Sequence, residues 1–185
     1  MKRIFPLILI LLMLLPACHA EPKHTILSQP NTVYYATLAE LETASDAILR
    51  VTRQEDAKSQ LTRNGDALTN AETISTVAIT QVYKDASNSL APGDTIPILE
   101  HAAYDEEANT VYHQGDYILM EENAEYLLFL IDSNSCYVPA GFCQGIISLT
   151  ADNRDTPIKT SEGITIPNWN AYREIWQAAV DKYTS

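Results

Sequence analysis

The sequence predicts a mainly β domain with a short helix near its N-terminus and an amphipathic helix at its C-terminus. Three observations carry that reading. Segments dense in β-branched and aromatic residues, such as TISTVAITQVYK (73–84) and EYLLFLID (125–132), recur through the middle of the chain between turn residues. Helical spacing is found towards the two ends, around Leu38 and Leu41 and again from Trp169 to Tyr183. The composition, 46% apolar and 19% charged, is that of a globular chain. Short strands joined by turns commonly close into barrels or sandwiches.

The elements follow in order. Thr37 and Glu40 have capping-box spacing, so a helix starts at TLAE and sets Leu38 and Leu41 on one face. AILRVTRQ (47–54) then alternates as a strand. EDAKSQLTRNGDALTN (55–70) reads as a polar loop turning at Asn64-Gly65. In the next strand Ile74, Thr76, Ala78, Thr80 and Val82 share one side and Val77, Ile79 and Tyr83 the other. Ala91-Pro92-Gly93-Asp94 turns into DTIPILEHAAY, where Pro97 belongs at an edge or bulge because it cannot donate to a ladder. A turn at 105–109 leads into TVYHQGDYILM, broken near Gly115, and EYLLFLID, CQGIISLTAD and GITIP complete the β region. Asn168 is placed to cap a last helix whose Trp169, Tyr172, Trp176, Ala179, Val180 and Tyr183 form a stripe for the sheet.

The first residues are a targeting segment. Lys2 and Arg3 precede an apolar run, Ile4 to Leu15, that is short for a membrane span and suits a signal peptide. Residues 1–17 are expected to be removed, 18–33 to form a tether carrying two prolines, and 34–185 to be one β-barrel-like domain with its C-terminal helix. Leu15-Pro16-Ala17-Cys18 resembles a bacterial lipobox, which would leave Cys18 as a lipidated N-terminus on a membrane. Pro16 departs from the usual residue at its position. The competing reading is secretion or periplasmic release, with cleavage after Cys18-His19-Ala20. Either way the chain is exported. Without Lys2 and Arg3, ten basic residues face 24 acidic ones, a net −14, which excludes the phosphate neutralisation that nucleic-acid binding needs.

Whichever cleavage operates, Cys136 and Cys143 remain as an even pair. Val138-Pro139-Ala140-Gly141 fits a type I turn, which would set Cys136 opposite Cys143 across a disulfide-stapled hairpin. Their spacing is not that of a redox motif. In HAAYDEEANTVYHQ, a symmetric turn at 105–109 would place His101 opposite His113, two ligands that with Asp116 or Glu100 could hold zinc. A slip of one residue would separate them, leaving two solvated histidines beside an acidic turn. The acidic pairs in Asp105-Glu106-Glu107 and Glu121-Glu122 lack the spacing of a calcium loop. No nucleophile elbow, zinc-protease motif or phosphate loop is present in the sequence, and no cofactor is expected.

ELETASDAILRVTR, ISTVAITQVYK, PGDTIPILE and EYLLFLID, in that order, resemble a group of small, mostly uncharacterised bacterial lipoproteins and secreted proteins over roughly residues 38 to 150. The resemblance implies an OB-like, five-stranded Greek-key barrel, similar to netrin-module and tissue-inhibitor-of-metalloproteinase domains. Those inhibitors act through an N-terminal cysteine wedge that this chain lacks, so inhibition does not carry over from fold alone. The leading expectation is a non-enzymatic, membrane-tethered binding module of the cell envelope, with an envelope protein as one class of partner. The alternatives are a metal-assisted hydrolase using His101 and His113, and a protease inhibitor by analogy of fold.

Overall fold

The computed structural model describes residues 21–28, 31–150, 158–161, 163–166 and 172–184. The leader, Pro16, Cys18, Asn168 and Trp169 lie outside the described residues. The elements are β1 (Lys23–Ser28), α1 (Leu38–Ala44), β2 (Ala47–Asn64), β3 (Ala67–Asp85), β4 (Thr95–Glu100), β5 (Ala102–Asp105), β6 (Thr110–Gln114), β7 (Glu125–Asp132), β8 (Tyr137–Pro139), a 3-10 helix (Phe142–Gly145), β9 (Ile146–Ser148), β10 (Ile158–Lys159), β11 (Thr165–Ile166) and α2 (Arg173–Tyr183). The protein is mainly β, with one large sheet.

In that sheet β2 pairs with β3, β3 with β4, β4 with β8, β8 with β7, and β7 again with β2. All of these pairings are antiparallel except β4–β8, a parallel contact at Ile98 and Tyr137. β9 continues along the β7 edge that β8 leaves. A second sheet has the order β1-β6-β5, with β1 parallel to β6. It rests on the far half of the β2–β3 hairpin, where Thr73 Oγ1 donates to the Ala102 carbonyl at 2.7 Å and Gln114 Nε2 to Asn70 Oδ1 at 2.6 Å.

β7 separates two apolar clusters because successive side chains in a strand point to opposite faces. Tyr126, Leu128 and Leu130 join Leu49, Val51, Val77, Ile79, Ile96 and Ile98 in the inner cluster. Leu127 and Phe129 face outward and are covered by Leu41 of α1 and by Ile175 and Ala179 of α2. α1 begins as expected: the Glu40 amide donates to Thr37 Oγ1 at 3.2 Å. The Glu40 carboxylate reaches back one residue further, accepting from the Ala36 amide at 2.8 Å. α2 starts after Tyr172 with no side-chain cap bond and is tied to α1 by Lys182 and Tyr183, both on the Glu42 carboxylate.

Three expectations are corrected. Residues 55–70 are not a loop. β2 and β3 run on as a long two-stranded arm joined by Gly65-Asp66, with Gly65 at φ 61° in the first central position, where a two-residue hairpin favours glycine. The 18–33 tether contains β1, which pairs with β6 in register from Lys23–Thr110 to Ser28–Gln114. The disulfide hairpin does not form, and Cys136 and Cys143 are both free thiols. The chain does not fold back at 138–141. It keeps antiparallel to β7, pairing Pro139 with Leu130, loops out through the 3-10 helix, and rejoins at Ile146 opposite Leu128. Gly145 closes this excursion, because a Cβ there would lie 2.5 Å from the Ala140 carbonyl oxygen and 2.7 Å from that of Phe129. Cys136 therefore precedes β8 while Cys143 sits in the looped-out turn, not across a ladder from it.

Candidate binding cleft

The excursion between β8 and β9 builds one side of an open cleft of about 370 Å³. Asn31 to Val33 and Tyr35 border it, Ile131 and Pro139 come from the β7–β8 end, and His101, Gln114, Gly141 and Phe142 complete the lining. Val33 is 68% exposed and Ile131 is 37% exposed, so apolar surface is presented outward at this rim.

Local backbone conformation places the ring of Phe142. Gly141 has φ 64°, and a Cβ on it would come within 2.8 Å of Gln144 Oε1 and 2.9 Å of the Tyr35 ring. Phe142 itself has φ 62°, a left-handed conformation that bulky residues avoid and that costs on the order of 1–3 kcal/mol. The opposite wall is fixed by one side chain. Gln144 Oε1 accepts from the Tyr35 amide at 2.7 Å, and its Nε2 donates to the Tyr35 carbonyl at 2.9 Å. The amide of Gln144 thus serves a chain segment that has no strand partner of its own.

Behind the cleft, three rings pack together. His101 lies over Phe142 with centroids 4.8 Å apart and planes 21° apart, and Tyr117 meets both rings nearly edge-on. His101 Nδ1 and the Tyr117 hydroxyl are buried without hydrogen-bond partners. Burial lowers the pKa of His101, against a weaker opposing effect of Glu72, so its ring is neutral.

The two histidines are not cross-strand partners. Ala102 pairs with His113, one residue away from the expected register, because the connecting turn spans 106–109. Neither ring stands free in solvent as the alternative expectation had it: His101 is half-buried at the back of the cleft, and His113 is enclosed. His113 is 1% exposed and uses both nitrogens: Nδ1 lies 2.8 Å from the Tyr117 carbonyl, and Nε2 lies 2.9 Å from His24 Nδ1. A carbonyl only accepts, so His113 carries its proton on Nδ1 and accepts at Nε2 from His24. Among the described residues, no group of three or more His, Cys, Asp or Glu side chains is placed to hold a metal ion.

The carboxylates proposed as companions are placed apart. Glu100 is fully buried, accepts from Ser75 Oγ and from the Met120 amide at 2.7 Å, and is pushed by burial up to about pKa 7. Asp116 Oδ2 accepts from the Tyr172 hydroxyl at 3.3 Å and lies beside Cys143. Burial, aided by the Asp116 charge, pushes the Cys143 thiol far up, so it is no nucleophile at neutral pH. The acidic turns serve the backbone and arginines: Asp105 Oδ1 accepts from the Glu107 and Ala108 amides, and Glu122 pairs with Arg53 at 3.0 Å. Gln144, Tyr117 and His24 carry no sequence signal for this region, and Gly141 and Phe142 enter the sequence reading only as parts of a hairpin. The one local signal was Pro139-Ala140-Gly141, which reads equally well as a simple turn.

No protein-family model matches this chain, and no curated protein matches it.

Proposed function

We propose that this chain is an exported binding module, tethered to a membrane through lipid on Cys18, whose ligand face is the cleft at Phe142. The observation that carries the binding reading is the left-handed Phe142, which holds an aromatic wall beside the exposed Val33 and Ile131. Strain of this kind persists where the surroundings over-determine it, and it gathers at ligand sites. The acidic balance of the chain favours a neutral or cationic ligand over nucleic acid.

The ring of pairings β2-β3-β4-β8-β7-β2 supports the finer reading of the fold, a closed OB-like barrel of five strands. The hydrolase alternative gains no observation, since His113 has both nitrogens engaged and His101 is wedged between aromatic rings. The inhibitor alternative rests on analogy of fold alone.

The binding test uses Nile red, a neutral apolar probe, titrated into the purified protein and read by fluorescence. The expected result is one saturable site per chain, weakened at least tenfold by Val33→Glu or Ile131→Glu. Both positions are exposed, so neither change disturbs the core. Unchanged affinity in both variants would remove the cleft from consideration. The address is tested separately by mass spectrometry of the native N-terminus: diacylated Cys18 supports the tether, and a free Glu21 ends it.

A further inference from the structure

β1 is held to the domain by a contact of unusual chemistry. Its pairing with β6 is parallel and lies at the edge of the second sheet, with a strand partner on one side only among the described residues. From this strand His24 reaches inward to His113, Nδ1 to Nε2, at 2.9 Å. The ring centroids are 5.2 Å apart with planes 26° apart, the arrangement of two imidazoles joined edge to edge. His113 is anchored on its far side by the Tyr117 carbonyl. The chain His24, His113, Tyr117 carbonyl is satisfied when both rings are neutral. A first added proton goes to the free Nε2 of the half-buried His24 and keeps the bond; a second, on His113 Nε2, charges a ring that is 1% exposed and sets two N–H groups head to head.

The surroundings offer little to stabilise that charge. Glu21, on the same N-terminal segment, acts on His24, but burial outweighs it. From β5, Ala102 faces His113, and the neighbouring His101 is itself neutral, with Glu72 of β3 acting on it. From the turn between β10 and β11, the Ser161 amide bonds the His24 carbonyl and contributes no charge. The loop after β6 contributes the Tyr117 carbonyl, and Glu100 nearby is taken up by Ser75 and Met120.

We infer that β1 is an acid-released latch: neutral His24 and His113 hold the strand on β6, and their protonation frees it while the rest of the domain stays folded. Burial lowers the pKa of both rings, that of His113 to about 4, in agreement with this geometry. A released His24 titrates near 6.5, so docking is strongest above that pH. It weakens as pH falls below it, by up to about tenfold per pH unit for this residue, and His113, which stays on β6, adds to the loss only as far as the departure of β1 exposes it. The consequence for reach rests on the lipid-tether reading. With β1 docked, five Cα-to-Cα steps separate Cys18 from Lys23, at most roughly 17 Å; with β1 free, the next fixed point is Tyr35, and the reach grows to roughly 55 Å.

The latch itself is tested without the membrane, by hydrogen exchange of the purified mature protein at pH 7.5, 6 and 5, corrected for intrinsic exchange rates. The expected result is a loss of protection in peptides covering 23–28 of at least tenfold between pH 7.5 and 5, with β2 and β7 unchanged. His24→Gln should shallow that pH dependence, and His24→Gln with His113→Gln should abolish it. The single variant suffices if the double variant does not fold. Equal pH dependence in wild type and His24→Gln overturns the latch, as does simultaneous loss of protection in β1 and β7. A free Glu21 N-terminus with an intact pH response would remove the tether and leave the latch standing.

Discussion

The two faces of β7 solve different problems. The outer face is dry: Leu127 and Phe129 meet Leu41, Ile175 and Ala179, and the polar ties, such as Glu42 with Lys182 and Tyr183, lie at its edge. The inner side is apolar around Leu128 and Leu130 but passes into a layer that contains Glu100, His113 and the unpartnered Tyr117 hydroxyl. Apolar burial contributes stability in proportion to area, whereas each buried polar group without a partner costs about 1–3 kcal/mol. The outer face therefore stabilises the fold, and the polar layer draws on that stability while making the domain responsive to pH.

The largest expected effect tests the dry face. Phe129→Ala should lower unfolding free energy by about 3–5 kcal/mol in urea titration, with little change in how stability depends on pH. A loss below about 1 kcal/mol would mean that the two helices do not depend on this ring.

The polar layer is broken next, through Glu100. Its pKa in the fold is about 7, above the ordinary 4.5, so the folded state holds an extra proton between those values. Its contribution is fully present below about pH 4.5 and is lost as pH rises through about 7, on the order of 2–3 kcal/mol. His113 runs the other way: its pKa is depressed to about 4, so its contribution is present above about 6.5 and is lost as pH falls towards 4. The two oppose each other in mildly acid solution. Glu100→Gln should raise stability at pH 8 relative to wild type and leave the histidine-driven loss in acid unmasked. Parallel pH curves for wild type and variant would count against a buried, protonated Glu100.

A smaller change sharpens the boundary between the layers. Gln144→Leu removes both bonds to Tyr35 and leaves that backbone to solvent or to no partner, at a cost of about 1–3 kcal/mol by thermal unfolding. It should also weaken Nile red binding, because the 31–35 wall loses its fixation. The smallest effect concerns the thiols. With Cys136 and Cys143 unpaired, Cys136→Ser should move stability by less than about 0.5 kcal/mol, and dithiothreitol should not move the melting midpoint. A midpoint lowered by reductant would restore the disulfide.

What could be read from the sequence divides along the same line. Thr37 and Glu40 announced α1, and the continuous apolar run in EYLLFLID announced a strand, because capping and two-sided burial leave local patterns. The arm at 55–70 was hidden because both of its faces are polar and largely exposed, so its strands carry no apolar period. β1 was hidden because its partner lies far along the chain, and prolines at 22 and 30 gave its segment the look of a linker. The cleft depended on one turn. Pro139-Ala140-Gly141 has the composition of a hairpin, and the close approach of the Ala140 and Phe129 backbone to Gly145 that marks the excursion leaves no local pattern. The histidine register failed by a single residue, the length of the turn at 106–109, and that residue exchanged a pair of metal ligands for a His24–His113 bond.

The pairing of β1 with β6 also fixes an order of events in time. Lys23 meets Thr110 and Ser28 meets Gln114, so the first strand waits for a neighbour farther along the chain than any other strand pairing among the described residues requires. During synthesis from the N-terminus, β1 must wait for more than eighty residues to follow it. Closing so long a loop is slow compared with forming the β2–β3 hairpin, whose strands meet across two residues. The domain is therefore able to assemble around an empty edge on β6 before its own N-terminus arrives to fill it.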